Sequence, residues 1–356
     1  MPVPESMSWS DPSTTPGEIA AALRRLLVAC TAEAGACVPA RVLNLVCVVD
    51  AELSGAISER LLQAGRQHAS RTILCAVERD RTAIGAVATL GTAHHRSPGD
   101  FALLRETVTL ELGERHIPHL DTIVDALVAS DLPTVVWCAH GHDAAVRVLL
   151  PLAQVVLLDS SDRAHPRAAL ADACELLRQA YVVDLAWLRS TPWRERVAAA
   201  FDLPQRRAEL GAIRAVTIRH QVDSAVAGLL LLGWLGSRLG WRLAPLERAE
   251  DGLEGVVRGA GGATRVALAP DARLPVPGLA SVTVEMSSGR RLALARGAGG
   301  LRVRERDPAG VERRWTLPGA SRGEPGILGE GIRQALLRDA TFAPAADAAN
   351  RLAGRL

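Results

Sequence analysis

Lysine is absent from this chain. All 41 basic residues are arginine, set against 39 carboxylates, for a formal charge of +2. The missing lysine excludes lysine Schiff-base chemistry and the Walker A lysine of phosphate loops, so every side-chain cation other than histidine is a guanidinium. So small a net charge argues against a general polyanion-binding surface, and nucleic acid is not expected as a partner. Aromatic residues make up only 3 % of the 356 positions, which makes any stretch carrying two tryptophans stand out. Long apolar runs are also missing. The longest, Ala225 to Leu235, falls well short of the roughly 20 residues that span a bilayer and reads as a buried helix. The N-terminal stretch has no basic segment leading into an apolar run, so no secretory signal and no membrane association are expected, and the chain is read as cytoplasmic.

Several catalytic signatures are absent as well. The first strand-to-helix turn reads Val49-Asp50-Ala51-Glu52-Leu53-Ser54-Gly55. Two carboxylates stand there where a dinucleotide pyrophosphate needs backbone amides, and no Gly-x-Gly-x-x-Gly is present. There is no Gly-x-Ser-x-Gly elbow and no His-Glu-x-x-His helix. The six cysteines, Cys30, Cys37, Cys47, Cys75, Cys138 and Cys174, form no Cys-x-x-Cys pair, so reduced and mostly buried thiols are expected. No cofactor and no resident metal are expected.

What is present is a regular alternation of periods. Residues 1–16, rich in Ser, Thr and Pro, read as a flexible leader. From Pro16 the apolar spacing turns helical, with Thr15 as N-cap and Glu18 in the first turn. Arg41 to Asp50 and Arg71 to Val77 are near-continuous apolar runs separated by the helical Ser54 to Arg66, as expected of parallel strands covered on both faces. Ala83 to Leu90 and Glu106 to Leu112 alternate and are expected near a sheet edge. His119 to Ala129, Thr134 to Cys138, Val155 to Asp159, Arg167 to Ala180 and Tyr181 to Leu185 continue the strand and helix alternation. After Pro204 the strand Ile213 to Arg219 and the helix Ala225 to Leu239 lead into short alternating runs separated by glycine turns, the pattern of an antiparallel meander. The fold class is therefore α/β, with an N-terminal mostly parallel sheet bearing helices on both faces, plus a C-terminal α+β domain with an antiparallel sheet. The expected domains are residues 17–204 and 205–356. Gly228, Gly233 and Gly236 would let a neighbouring element approach the Ala225 helix closely, and the Gly-Ala-Gly-Gly segments at 259 and 297 read as hairpin turns.

Two groups of residues invite a chemical reading. Cys138, His140 and His142 stand at alternate positions at a strand end, a partial zinc set at best and more simply strand-end polar residues. The segment from Asp184 to Arg196 packs Trp187, Trp193, Arg189, Arg194 and Arg196 into thirteen residues. Thr191 and Pro192 suit the start of a helix. The indoles suit a packed core, and the arginines suit either a surface for an acidic or phosphorylated partner or a structural ion-pair network.

This segment also carries a resemblance. VVDLAWLRSTPWRERVAAAFD, followed by LLLLGWLGSRLGW with Trp234 and Arg238, resembles the two signature blocks of the OpcA family, the glucose-6-phosphate dehydrogenase assembly proteins. ARVLNLVCVVD, HASRTILCAV, HLDTIVDALVASDLPTVVWC, VVLLDSSD and GILGEGIRQALL agree in order and spacing. The chain departs from the family where Cys138-Ala139-His140 follows Trp137. The resemblance implies a non-catalytic protein that binds glucose-6-phosphate dehydrogenase and promotes its active oligomer in the oxidative pentose phosphate pathway, with NADPH supply as the outcome. It implies a partner-binding role for Asp184, Trp187, Arg189, Trp193, Arg194, Arg196, Trp234 and Arg238. The alternative from the residues is an enzyme on a small phosphorylated metabolite, with Arg189, Arg194 or Arg238 as anion clamp and His140 or His142 as acid or base.

Overall fold

A computed structural model of the chain describes residues 6–34, 37–38, 41–65, 70–92, 102–139, 141–318 and 323–354. Its strands in the first half are β1 (Ser6–Asp11), β2 (Cys37–Val38), β3 (Leu43–Asp50), β4 (Ser70–Glu78), β5 (Gly85–Thr92), β6 (Ala102–Gly113), β7 (Thr134–Cys138), β8 (Val155–Leu158) and β9 (Tyr181–Asp184). Helices α1 (Pro16–Ala34), α2 (Ser54–Gly65), α3 (Leu120–Asp125), α4 (Asp143–Leu149) and α5 (Pro166–Leu176) are interspersed among them, and α6 (Leu185–Arg189), α7 (Thr191–Ala200) and α8 (Pro204–Arg207) follow β9 in succession. The sheet order is β1-β5-β6-β4-β3-β7-β8-β9, with β2 beside β6. The β6, β4, β3, β7 and β8 pairs are parallel, whereas β1 and β5 add antiparallel. Seven successive residues of β3 are buried, so both faces of this strand are covered, which is what its unbroken apolar run requires. Val46, Ile73, Val108 and Val136 lie side by side across four strands in its core.

The stretch expected as a leader contains β1. Its alternation places Met7 and Trp9 half-buried, with Trp9 opposite Ala88 and against the core, and the strand pairs with β5 over its whole length. A period-2 pattern built on one Met and one Trp among serines is too weak to read as a strand by itself. The helix that follows starts as expected. The Thr15 amide and hydroxyl both donate to a Glu18 carboxylate oxygen at 2.9 Å, and the Glu18 amide returns a bond to the Thr15 hydroxyl, so α1 opens on a reciprocal cap. The helix expected over His119 to Ala129 is shorter, α3 ending at Asp125. Beyond it, fully buried Asn44 accepts from the Ala129 amide and donates to the Ala129 carbonyl, both at 2.9 Å, diverting the backbone from helical bonding.

The second sheet comprises β10 (Ile213–His220), β11 (Glu247–Ala249), β12 (Gly252–Gly259), β13 (Gly262–Pro270), β14 (Leu279–Met286), β15 (Arg291–Gly297), β16 (Gly300–Arg306) and β17 (Glu312–Pro318); α9 (Ala225–Leu239) runs between β10 and β11, and α10 (Gly323–Leu337) and α11 (Phe342–Leu352) follow β17 in the chain. Its order is β11-β12-β13-β10-β14-β15-β16-β17. Every pair is antiparallel except β10 with β13, since the chain leaves β10 through α9 and returns two hairpin strands later. Both Gly-Ala-Gly-Gly segments are two-residue hairpin loops, closed by Gly259 opposite Gly262 and by Gly297 opposite Gly300. α9 is buried on nearly every side, and Gly233 faces α11, where an added Cβ would sit 2.2 Å from the Ala345 carbonyl oxygen.

By contacts the chain groups into two compact units, each discontinuous in sequence. One holds residues 1–158, 179–183 and 324–337. The other holds residues 159–178, 184–323 and 338–356.

Candidate functional site

The tryptophan and arginine segment folds as a short helix, a break and a second helix. Asp184 ends β9 and caps α6, its carboxylate accepting from the Ala186 amide at 2.9 Å. The chain turns at Ser190, whose hydroxyl donates to the Trp187 carbonyl at 2.7 Å. α7 then begins at Thr191 with Pro192 in its first turn. Thr191 is the first residue of this helix, and Ser190 before it already holds helical angles.

A set of interlocked contacts follows. The Arg194 guanidinium stacks 3.3 Å from the Trp187 ring centre and donates to the Trp187 carbonyl at 2.8 Å, to the Ser190 hydroxyl at 2.7 Å and to the Thr191 hydroxyl at 3.1 Å. The Trp187 indole N–H donates to Asp339 at 2.8 Å, and Trp187 packs on Phe342 at 5.5 Å between ring centres. Asp339 is itself held by the Thr341 amide and hydroxyl at 2.8 and 2.6 Å. Burial pushes the Arg194 group down to about 10, with Asp339 and Glu195 opposing, so it stays charged at neutral pH. Burial works against the Asp339 carboxylate, yet the hydrogen bonds from Thr341 and Trp187 hold it below the ordinary value.

Beside this network, Arg189 grips Asp159 with two parallel bonds of 2.9 and 2.5 Å. Asp159 caps the next turn through the Ser161 amide. The Ser160 hydroxyl and amide donate to Asp184 at 2.6 and 3.1 Å. Asp184 is fully buried, and its carboxyl is pushed up to about 6 by that burial and by the Asp159 charge, against the hydrogen bonds from Ser160 and Ala186.

The structure therefore brings Asp184, Trp187, Arg189 and Arg194 into two adjacent self-satisfied networks. Trp193 is 2 % exposed. Arg196 and Arg238 are exposed, and Trp234 is half-buried. Arg189 and Arg194 are enclosed and already ligated by the protein's own oxygens, so neither offers a vacant anion clamp. Asp159 and Ser160 lie in the VVLLDSSD stretch and were legible only as part of a pattern. Asp339, 152 residues from Trp187, carries no local signal at all.

His142 bonds Asp50 at 3.1 Å, while His140 and the Cys138 side chain lie outside the described residues. Among the described residues no group of three or more His, Cys, Asp or Glu is arranged to hold a metal ion. Cys75, inside β4, is driven by burial up to about 12, and Cys174 up to about 11 by burial and Asp347, so both thiols stay protonated.

Comparison with known proteins gives a family. Remote similarity to solved structures includes the UDP-N-acetylglucosamine 3-dehydrogenase GnnA of Acidithiobacillus ferrooxidans, 11 % identical with a TM-score of 0.45 over 88 % of this chain and 95 % of that one. A scyllo-inositol dehydrogenase from Lactobacillus casei is likewise 11 % identical, with a TM-score of 0.46 over 88 % of this chain and 96 % of that one. At that distance neither cofactor nor substrate carries over. Among curated relatives, the "Putative OxPP cycle protein OpcA" of Synechocystis is 31 % identical over 38 % of this chain and 30 % of its own length. That of Nostoc punctiforme is 33 % identical over 38 % and 30 %. The match thus spans under a third of the length of these relatives. Two family models tile most of the chain: residues 62–175 match the glucose-6-phosphate dehydrogenase subunit N-terminal domain, and residues 180–346, which contain the whole tryptophan and arginine segment, match the subunit's C-terminal domain. The chain belongs to the OpcA family of glucose-6-phosphate dehydrogenase subunits.

Proposed function

We propose that this protein is a non-catalytic partner of glucose-6-phosphate dehydrogenase that binds the enzyme, promotes its active oligomer and so serves the oxidative pentose phosphate pathway from the cytoplasm. The observation that carries the proposal is the pair of family matches running through both halves of the chain. The site supports it. In the tryptophan and arginine segment, Arg189, Arg194 and Asp184 are bound to Asp159, Trp187 and Ser160, an arrangement that stiffens the segment and leaves these three side chains hydrogen-bonded. The enclosed network acts as scaffold. The exposed residues Arg196, Arg238 and half-buried Trp234 are the members of the signature blocks that remain available to a partner. No helix among the described residues is long and apolar enough to cross a membrane.

The test is light scattering on a sizing column with the purified protein and its cognate dehydrogenase. A co-eluting species heavier than either component is expected. Two peaks at the masses of the separate proteins, at concentrations well above micromolar, would contradict the proposal.

A further inference from the structure

The core-facing row of β15 ends on a charge. Leu292 and Leu294 are buried in that row, and Arg296 takes its next place, directly opposite buried Leu301 of β16. Side chains alternate between the faces of a strand, so Arg296 starts on the apolar side of the sheet. It is half-buried, and burial alone pulls its group below the ordinary arginine value, with no charge opposing that shift. Among the described residues of the second unit, the other buried and half-buried arginines each face a carboxylate. Arg163 faces Asp172 at 3.1 Å, Arg189 faces Asp159 at 2.5 Å, Arg194 faces Asp339 at 4.0 Å, Arg206 faces Glu305 at 3.0 Å and Arg290 faces Glu209 at 2.9 Å. Arg296 has only a carbonyl, that of Leu279, which accepts from its Nε at 3.2 Å.

That bond holds one edge of the guanidinium and leaves the Nη1 and Nη2 fork without a hydrogen bond or ion pair among the described residues. Ser161 Oγ is the only buried side-chain polar atom without a partner among those residues, so the Arg296 fork reaches the surface. Room is kept beside it. Gly278 holds φ at +103°, and a Cβ built there would sit 3.6 Å from Arg296 Nη2 and 4.0 Å from Arg189 Cβ. Any other residue would be strained at that angle and would fill the space beside the fork. The Gly278 carbonyl accepts from the Gln221 amide and its own amide donates to the Ser224 hydroxyl, both at 2.9 Å, so the loop is pinned on both sides.

We propose that Arg296 is the seat of a carboxylate supplied from outside the chain and, resting on the function proposed above, that an acidic side chain of the dehydrogenase supplies it. Charge selects the ligand. Neighbouring Arg189 is already held by Asp159 through two bonds, so a single guanidinium is on offer. A carboxylate matches one fork with two parallel bonds and one charge, whereas a phosphate monoester carries nearly two charges near neutral pH and leaves one of them unmatched in half-buried surroundings. A half-buried guanidinium without an anion costs the free protein stability, and the bound carboxylate removes that cost.

The test compares the full chain with Arg296→Gln and Arg296→Lys. Free R296Q is expected to melt no lower than the wild type, because no internal ion pair is lost. Its affinity for the cognate dehydrogenase is expected to fall at least about ten-fold, and R296K, which keeps the charge but not the fork, is expected to recover only part of that loss. Equal affinity of wild type and R296Q overturns the proposal. So does an R296Q that melts well below the wild type, since Arg296 then serves folding. If the wild type does not bind the dehydrogenase, the proposed function fails, and melting temperatures in sodium chloride, acetate and phosphate at one ionic strength decide the seat. A rise in acetate confined to the wild type sustains a carboxylate seat whose ligand is a free carboxylate. Equal shifts in wild type and R296Q, or a wild-type rise in phosphate larger than that in acetate, overturn it.

Discussion

The Arg194 guanidinium lies 3.3 Å from the centre of the Trp187 ring while bonding the same residue's carbonyl oxygen. One side chain thereby closes the α6 turn, covers the indole and sits within 4.0 Å of the Asp339 carboxylate that holds the indole N–H. At 8 % exposure Arg194 is part of the core.

Arg194→Ala is therefore expected to lower stability by about 2 to 4 kcal/mol, since it strips the Trp187 carbonyl and two hydroxyls of a charged donor and opens a gap over the ring. Arg196→Ala, two residues on and exposed, is expected to change stability by no more than about 0.5 kcal/mol. Denaturant midpoints of the two variants settle the contrast, and equal midpoints would return Arg194 to the surface role that the sequence suggests for it.

Asp184 gives the fold a pH dependence. Its carboxyl stands near 6 in the folded protein against an ordinary 3.8. Between those values the folded chain keeps a proton that the unfolded chain has released, so this group lowers stability as pH rises through the window, and the loss is complete above it. Asp184→Asn keeps an acceptor for the Ser160 and Ala186 amides but cannot ionise. Relative to wild type it is expected to gain up to about 3 kcal/mol as pH is raised from about 4 to about 7, then level off. Melting curves at stepped pH measure the gain; parallel profiles for the two proteins would show that Asp184 does not titrate in this range.

Glycine substitutions should divide by what a new methyl meets. Gly233→Ala would drive a Cβ to 2.2 Å from the Ala345 carbonyl oxygen and 2.7 Å from the Ala349 amide nitrogen, both backbone, so α11 must shift at a cost of about 1 to 3 kcal/mol. Gly55→Ala, with open space around it in α2, is expected to stabilise by about 0.5 to 1 kcal/mol. Thermal melts that place both variants on the same side of wild type would refute this account of the α9 and α11 contact.

Glu106 is fully buried and holds Arg71 at 2.7 Å on one oxygen and Arg41 at 2.7 Å on the other. Glu106→Gln leaves two partly buried guanidiniums without their shared anion and is expected to cost about 3 kcal/mol. Urea titration reads the loss, and an unchanged midpoint would mean that water already solvates both arginines.

Much of this architecture is legible in the sequence because it is written in period. The apolar runs at Val46 and Ile73 give the parallel strands, the Thr15 and Glu18 spacing gives the cap, and the Ala225 to Leu239 helix has the bounds its pattern sets. β1 is not legible, since its stability comes from pairing with β5 rather than from its own composition. The tryptophan and arginine segment is visible as a cluster, but the burial of Arg189 and Arg194 is not. It depends on Asp159 and Asp339, which approach only in three dimensions.

The most direct measurement of the central claim is a titration of cognate glucose-6-phosphate dehydrogenase activity with the purified protein, run beside an assay of the protein alone on the same sugar phosphate. No turnover by the protein alone is expected, together with a saturable rise in dehydrogenase activity that tracks complex formation. Dehydrogenase kinetics that stay flat across the titration, or turnover by the isolated protein, would contradict it.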